Sequence, residues 1–288
     1  MTEILRAKPI LKEIYARIRD NISLFKRLPQ LEIIQIGKDP AAELYVDNLQ
    51  KKGDQYGIRV NLRRLSIDVG QQEIETLISE LNGNRNVDGI MLQKPLPEHL
   101  DESVINSLIK PEKDVDGFHP VNLGKLVLEQ PGLLPCTPQA VIAILKFYQI
   151  ETIGKRVVIL GRSNIVGKPL GLLLLSKKEP GNATVTFCHS QTENLASITR
   201  EADILIAAIG KPRFVKTNMI KDKAVVIDVG TNLISDAEKG DIYVGDVDFE
   251  AVQYKTSAIT PVPGGVGSIT TALLLLNVIT AAKLNLKK

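Results

Sequence analysis

VVILGRSNIVGKPL, residues 157–170, is the stretch on which the reading of the fold turns. Val157 to Leu160 form an apolar run of strand length, as in a strand buried on both faces. Gly161 breaks the run, and from Val166 the sequence is apolar and helix-compatible through Leu175. A strand, a tight turn and a helix opening mark the place where an α/β domain offers backbone N–H groups to a phosphate. The glycine spacing is not that of the general dinucleotide fingerprint. Its three glycine positions hold Gly161, Ser163 and Val166 here, and the next glycine is Gly167. Taken alone, the turn leaves a ligand-free connection open, since strand-to-helix turns occur throughout α/β folds.

Outward from this turn the pattern repeats. A helix is expected at about 139–149, then strands at 155–160, 183–188, 203–209 and 223–229, with helices near 166–177 and 193–201 between the first three. That series describes a doubly wound nucleotide-binding domain. Upstream, Leu11, Ile14, Ile18, Ile22 and Phe25 recur at helical spacing, and LEIIQIG (31–37) reads as a strand. A helix over 41–56 closes at Gly57. IRVNLRRLSI (58–67) alternates, Ile74, Leu77, Ile78 and Leu81 mark another helix, and VDGIMLQKPLP (87–97) is a strand entering a proline-rich loop. Between the two series, residues 111–138 carry many prolines and glycines and read as connecting loops. TPVPGGVGS (260–268) leads into a long apolar helix ending near Leu286. The expected fold class is α/β with two domains.

At 288 residues, 44% hydrophobic and 24% charged, the chain has the composition of a globular protein with a substantial core. A net charge of +3 suits small anionic ligands and is too weak to indicate nucleic acid. With no tryptophan and 4% aromatics there is no stacking platform for single strands. Cys136 and Cys188 imply no disulfide framework, and His99, His119 and His189 have no metal-ligand spacing. The first ten residues lack a signal-peptide core. The longest apolar stretches, Leu172–Leu175 and Ala272–Leu276, are too short to span a bilayer. A cytoplasmic protein without metal, membrane or nucleic-acid partner is expected.

DGIMLQKPLP, PEKDVDGFHP, PCTP, GRSNIVGKP, ATVTFCHS, GDV and TPVPGGVG, in unbroken order over nearly the whole chain, resemble the bacterial bifunctional methylenetetrahydrofolate dehydrogenase–cyclohydrolase family. The resemblance implies a folate-binding catalytic domain from residues 1–137 and 266–288, with the last helix returning to it. A Rossmann-type NADP-binding domain at 138–265 is inserted between them. It also implies a homodimer. The implied chemistry has two steps. Hydride passes from the methylene bridge of 5,10-methylenetetrahydrofolate to NADP, and water then opens the methenyl cation to 10-formyltetrahydrofolate.

By this resemblance Gly161, Arg162, Ser163 and Ile165 lie in the cofactor turn, and Arg162 and Ser190 stand where the 2′-phosphate of NADP is recognised. A guanidinium fork with a hydroxyl suits a phosphate dianion, and the acidic residue that would bind an NAD ribose is not evident in CHSQ (188–191). Thr231, in VGTN, stands at a position that contacts the cofactor through its backbone. Asp116 matches the residue that holds the pterin's amino-pyrimidine edge, whereas Asp114 is the better candidate for a turn cap. Pro263, Gly264 and Gly265 match the loop lining the folate site, where glycines let backbone approach a flat ring. An interdomain hinge is the plainer role for that loop. Ser268 and Ile269 depart from the usual proline and methionine, a change expected to affect packing more than chemistry.

One departure touches the catalytic set. The family pattern on the second helix is serine, Tyr-Val and lysine. This chain reads AAELYVDNL, with Tyr45 kept and Leu49 where the catalytic lysine stands. Tyr45 and Leu49 are four apart, on one helical face. Gln93, the lysine's partner in the family, is present, and the next residue is Lys94 in place of the usual leucine. Lysine and leucine look exchanged, which makes Tyr45, Gln93, Lys94 and Asp116 the expected catalytic group. Lys52 is a second candidate, on the same face as Tyr45 but about 10 Å further along the helix. Lys94 as an ordinary solvated loop lysine is the plainer reading. Two other functions are compatible with the exchange: a dehydrogenase without cyclohydrolase activity, and a silent paralogue that binds folate or NADP.

Overall fold

The computed structural model describes residues 1–236 and 240–286. In chain order the elements are β1 (Glu3–Ile4), α1 (Ala7–Ile22), β2 (Gln30–Ile36), α2 (Pro40–Tyr56), β3 (Arg59–Leu65), α3 (Gln71–Gly83), β4 (Gly89–Leu92), α4 (Glu102–Leu108), α5 (Pro120–Val127) and α6 (Cys136–Phe147). There follow β5 (Arg156–Leu160), α7 (Gly167–Leu175), β6 (Thr184–Cys188), α8 (Leu195–Thr199), β7 (Ile204–Ala207), β8 (Val225–Asp228), β9 (Asn232–Asp236), β10 (Gly240–Val244), α9 (Phe249–Val252), β11 (Ala258–Ile259) and α10 (Val266–Leu286). They form two compact units: Met1–Lys12 with Cys136–Thr270, and Glu13–Pro135 with Thr271–Lys288. The last two residues of the expected catalytic domain, 287–288, lie outside the described residues.

In the second of these units three parallel strands take the order β3-β2-β4. β2 is central, and from Leu31 to Ile36 every residue is buried, as a strand covered on both faces requires. Helix α2 closes at Gly57, whose φ of 76° is the left-handed conformation that ends helices. The core joins Ile34 and Leu92 of the sheet to Ile74, Ile78 and Leu81 of α3. Within α10, Asn277 donates through Nδ2 to the carbonyls of Val115 (2.8 Å) and Leu134 (3.0 Å). This ties the end of the chain to the DVDG segment.

The other unit is a six-stranded parallel sheet of order β1-β11-β8-β7-β5-β6. β5 is flanked by β6 on one side and β7 on the other, so the strand order reverses at its carboxyl end. Met1–Lys12 join this unit because Glu3 and Ile4 pair with Ala258 and Ile259. A strand of two residues leaves no pattern to read.

Three features differ from the sequence reading. Residues 120–127, read as loop, form helix α5: Pro120 opens it, and the His119 ring nitrogen accepts from Val121 N–H as its cap. β9 and β10 form an antiparallel hairpin outside both parallel sheets. Finally, α10 is long enough, at a mean hydropathy of 1.6, to cross a membrane by length and composition. Its burial, 61% of that window, is that of a core helix, with Ile269, Ala272, Leu275 and Val278 fully enclosed.

Candidate functional site

Parallel sheets bind ligands outside the carboxyl ends of their strands, at the point where strand order reverses. Each unit has a cavity there.

In the six-stranded unit a cavity of about 300 Å³ lies over the ends of β5, β6 and β7, lined by Gly161, Arg162, Ser163, His189, Ser190 and Lys211 among others. Gly161 is required by the geometry. Its φ is 121°, and a Cβ there would stand 2.2 Å from the carbonyl oxygen of Ala208. Gly167 opens α7 hard against the Gly161 carbonyl, where a Cβ would come within 2.3 Å. Strand, turn and helix therefore pack closely enough to present backbone N–H groups to a ligand. Ser163 Oγ accepts from Val166 N–H at 3.1 Å, holding the turn.

Four of the six expected cofactor residues, Gly161, Arg162, Ser163 and Ser190, meet in this cavity. Ile165 is exposed in the same turn. Thr231 is exposed after β8, its Oγ1 3.4 Å from where a Cβ on Gly267 would stand. The glycine turn offers backbone N–H groups of the kind that hold a pyrophosphate, and a guanidinium with a hydroxyl, here Arg162 and Ser190, is the kind of pair that holds a further phosphate. His189 and Lys211 are additional lining groups that the sequence reading did not single out.

The wall of this cavity is held by two interlocked carboxylates. Asp246, fully buried, accepts from the N–H groups of Ile209 (2.7 Å), Gly210 (3.0 Å) and Lys211 (2.9 Å). Asp228 accepts from the N–H groups of Gly230 (3.0 Å), Asp246 (2.9 Å) and Val247 (2.9 Å). Burial pushes the Asp228 carboxyl up to about 7 against the lowering effect of those bonds. Pro263, Gly264 and Gly265 belong to this unit by contact. Gly264 has φ 100° and accepts from Ala7 N–H at 2.8 Å, and a Cβ on Gly265 would meet the Pro261 carbonyl at 2.4 Å.

In the three-stranded unit a cavity of about 230 Å³ lies at the ends of β2 and β4, lined by Gln35, Lys38, Asp39, Ala42, Gln93 and Lys94 among others. Gln93 and Lys94 thus meet. Tyr45 is half-buried one turn beyond Ala42 on α2, and one further turn along Leu49 is completely buried. The Lys94 ammonium is bound to Glu102 and lies 4.7 Å from the centre of the Phe118 ring. Lys52 is engaged elsewhere, with Gln55 at 3.1 Å and the Tyr15 ring at 5.6 Å.

Among the described residues, Gln35 Oε1 and Gln93 Oε1 are the buried side-chain atoms without a hydrogen-bond partner. Gln35 was not singled out from sequence, where it is one residue inside an apolar strand.

Asp114 and Asp116 divide their roles. Asp114 accepts from the N–H groups of Phe118 (3.2 Å) and His119 (2.8 Å) and from Asn122 Nδ2 (2.8 Å), so it shapes the turn. Asp116 makes no side-chain hydrogen bond among the described residues. Its carboxyl is pushed up to about 7, first by burial, then by the charge of Asp114, and Lys94 partly offsets both. Gly117 behind it has φ 73°, and a Cβ there would stand 2.4 Å from Leu134 backbone, so the turn that carries Asp116 has one backbone solution.

These two cavities lie in regions that match one family twice. Residues 5–116 match the catalytic domain of tetrahydrofolate dehydrogenase/cyclohydrolase, and residues 135–286 match its NAD(P)-binding domain. The chain is 49% identical over 276 residues to the bifunctional protein FolD of Chlamydia trachomatis serovar L2, covering 95% of this chain and 96% of that one. Its fold is similar to the bifunctional FolD enzyme of Campylobacter jejuni, at a TM-score of 0.92 and 41% identity over 99% of each chain. It is also similar to the Trypanosoma brucei FolD enzyme solved with NADP and an inhibitor, at 0.93 and 36% identity over 100% of this chain and 99% of that one. The chain belongs to the tetrahydrofolate dehydrogenase/cyclohydrolase family.

Proposed function

We infer that the protein oxidises 5,10-methylenetetrahydrofolate with NADP and hydrolyses the methenyl product to 10-formyltetrahydrofolate. The observation that carries this is the near-complete match to bifunctional relatives across both domains. Asp116, whose carboxyl has no side-chain hydrogen bond among the described residues, and the Gly161 turn, which lines a cavity, agree with it.

The first step is one of positioning. Asp116, ionised, accepts the pterin's N–H donors, and its lack of a protein partner leaves both oxygens free for them. Backbone N–H groups at the Gly161 turn hold the cofactor's phosphates, and Arg162 with Ser190 selects the 2′-phosphate. The hydride that leaves the methylene carbon is taken up by the nicotinamide of NADP. Pro263, Gly264 and Gly265 supply a wall with little side chain, against which a flat ring can lie.

The second step needs a proton carrier. A water oxygen bonds to the cationic carbon as one of its O–H bonds breaks, and the proton passes to the Lys94 amine. When the C–N5 bond opens, N5 takes a proton and the carbinol O–H loses one to become the formyl carbonyl, so one proton is released per turnover. Lys94 takes this part because it lines the Gln93 cavity while Leu49 is sealed in the core. Its bond to Glu102 is a small obstacle. Glu102 is 46% exposed, and ion pairs of that kind are worth about 0–1 kcal/mol. Tyr45 and Gln93 orient the reacting region.

The test is direct. NADPH absorbance follows the first step, and loss of the methenyl chromophore follows the second. Lys94→Leu should bring hydrolysis down to its spontaneous rate while sparing dehydrogenase activity. Hydrolysis at the spontaneous rate in the unaltered protein would leave a dehydrogenase alone. Normal hydrolysis in the variant would move the proton carrier to Lys52 or solvent. The family resemblance further supports a homodimer in the cytoplasm, which light scattering and cell fractionation check.

A further inference from the structure

The two partnerless amide oxygens are not independent. β2 and β4 are parallel, with Ile34 paired to Leu92, and Gln93 N–H donates to the Ile34 carbonyl at 2.9 Å. One step further along the same register Gln35 lies beside Gln93, with both side chains on one face of the sheet. Both line the same cavity. Gln35 is 2% exposed, so its oxygen receives no bond from bulk water.

Each amide nitrogen faces a backbone carbonyl. Gln93 Nε2 donates to the Lys94 carbonyl at 3.0 Å, and Gln35 Nε2 makes a long contact to the Gly37 carbonyl at 3.5 Å. Turning either amide over would set oxygen against a carbonyl oxygen. Two acceptors are thus held side by side at the ends of two parallel strands, in a cavity that Lys94 also lines. A buried acceptor without a donor is destabilising, and packing alone would favour an apolar side chain at Gln35 like its neighbours Ile34 and Ile36.

We propose that Gln35 is a further positioning residue of the hydrolytic step: with Gln93 it forms a paired acceptor that holds a group with two donor hydrogens, the Lys94 amine or the water that is consumed. This rests on the two-step reaction proposed above. With Lys94 in the pair, it leaves Glu102, the two hydrogens of its amine go to the amide oxygens, and its lone pair is set toward the water that is consumed. With water there, both hydrogens are held by the amides and a lone pair faces the cationic carbon. The bonds made and broken are those already described, with the proton passing to the Lys94 amine.

Gln35→Leu separates this role from a structural one. Replacing a partnerless buried amide by an apolar side chain of similar size leaves the thermal midpoint unchanged or raised. On this proposal the same variant loses at least about tenfold in methenyltetrahydrofolate hydrolysis, the scale on which small misplacements act, and its dehydrogenase kcat stays within about twofold. The pH profile of hydrolysis identifies the occupant. A profile displaced along the pH axis places the Lys94 amine in the pair, and a uniform loss with unchanged shape places water there. Unchanged hydrolysis in an otherwise active Gln35→Leu protein overturns the proposal while the two-step reaction stands. Spontaneous-rate hydrolysis in the unaltered protein overturns both.

Discussion

Replacing Asp116 with asparagine removes one titrating proton and turns one acceptor into a donor, with opposite consequences for stability and for substrate binding. The folded protein holds the Asp116 carboxyl at about 7, against an ordinary value of 3.8. Between those values the native state keeps a proton that the unfolded chain has released. Stability from this group is therefore fully present below pH 4 and is lost as pH rises toward 7. The loss is at most about 4 kcal/mol, from about three pH units at 1.36 kcal/mol each. Asparagine has no such slope, so Asp116→Asn should gain on the unaltered protein steadily between pH 4 and 7 and level off above that. Part of the slope will remain in the variant, because burial also lifts the Asp228 carboxyl to about 7.

Binding should move the other way. The pterin offers N–H donors, and an amide nitrogen facing them leaves an unmatched buried contact costing about 1–3 kcal/mol, or roughly 5- to 150-fold in affinity. In the unaltered protein folate affinity should also rise about tenfold per pH unit up to pH 7, as the carboxylate forms, and the variant should show no such rise. Urea unfolding from pH 4.5 to 8 measures the first effect, and calorimetric titration with a folate measures the second. Equal pH slopes of stability in the two proteins would refute the burial argument. Unchanged folate affinity would refute the recognition role.

Arg162→Ala should weaken NADP by about 1.5–3 kcal/mol, the worth of a hydrogen bond to a charged group, and NAD little, as read by fluorescence titration with each cofactor. Asp246→Ala leaves three N–H groups at 209–211 without an acceptor, and should lower the unfolding midpoint by several kcal/mol equivalent and raise the KM for NADP more than that for folate. Leu49→Lys combined with Lys94→Leu should restore part of the hydrolysis that Lys94→Leu removes, measured by loss of the methenyl chromophore. No restoration would mean that position 49 does not reach the substrate in this chain.

Hydrophobic periodicity made both parallel sheets legible, because strands buried on both faces write themselves as largely apolar runs, as Val157–Leu160 does throughout and Leu31–Ile36 does apart from Glu32 and Gln35. The Gly161 turn was legible for the same reason, as the place where such a run stops. Helix α5 was missed because Pro120 was read as punctuation, although proline at the first helical position starts a helix. β1 and β11 have two residues each and are made by their partners rather than by their own sequence. The strands β9 and β10 are half-exposed on a hairpin and carry no core signal. At the candidate sites, Asp116, Gln93 and Arg162 were singled out through motifs. Gln35 and the backbone bonds of Asp246 were not, since both depend on what lies across the sheet.

The exchange of Leu49 and Lys94 shows why a substitution is better judged by the partners it leaves than by its own comfort. Leu49 packs without strain in the core, and Lys94 finds a carboxylate and an aromatic face, so neither side chain is out of place. The disagreement falls on Gln93, whose oxygen is buried with nothing to accept from, and on Gln35 beside it. Each such oxygen costs about 1–3 kcal/mol, and the two sit at the strand ends where a parallel sheet binds its ligands. A fold that tolerates two adjacent violations of the same rule, where an apolar pair would pack at lower cost, locates its chemistry there. On the function proposed above, the hydrolytic centre lies at the ends of β2 and β4, with its lysine supplied by the loop after β4 in place of α2.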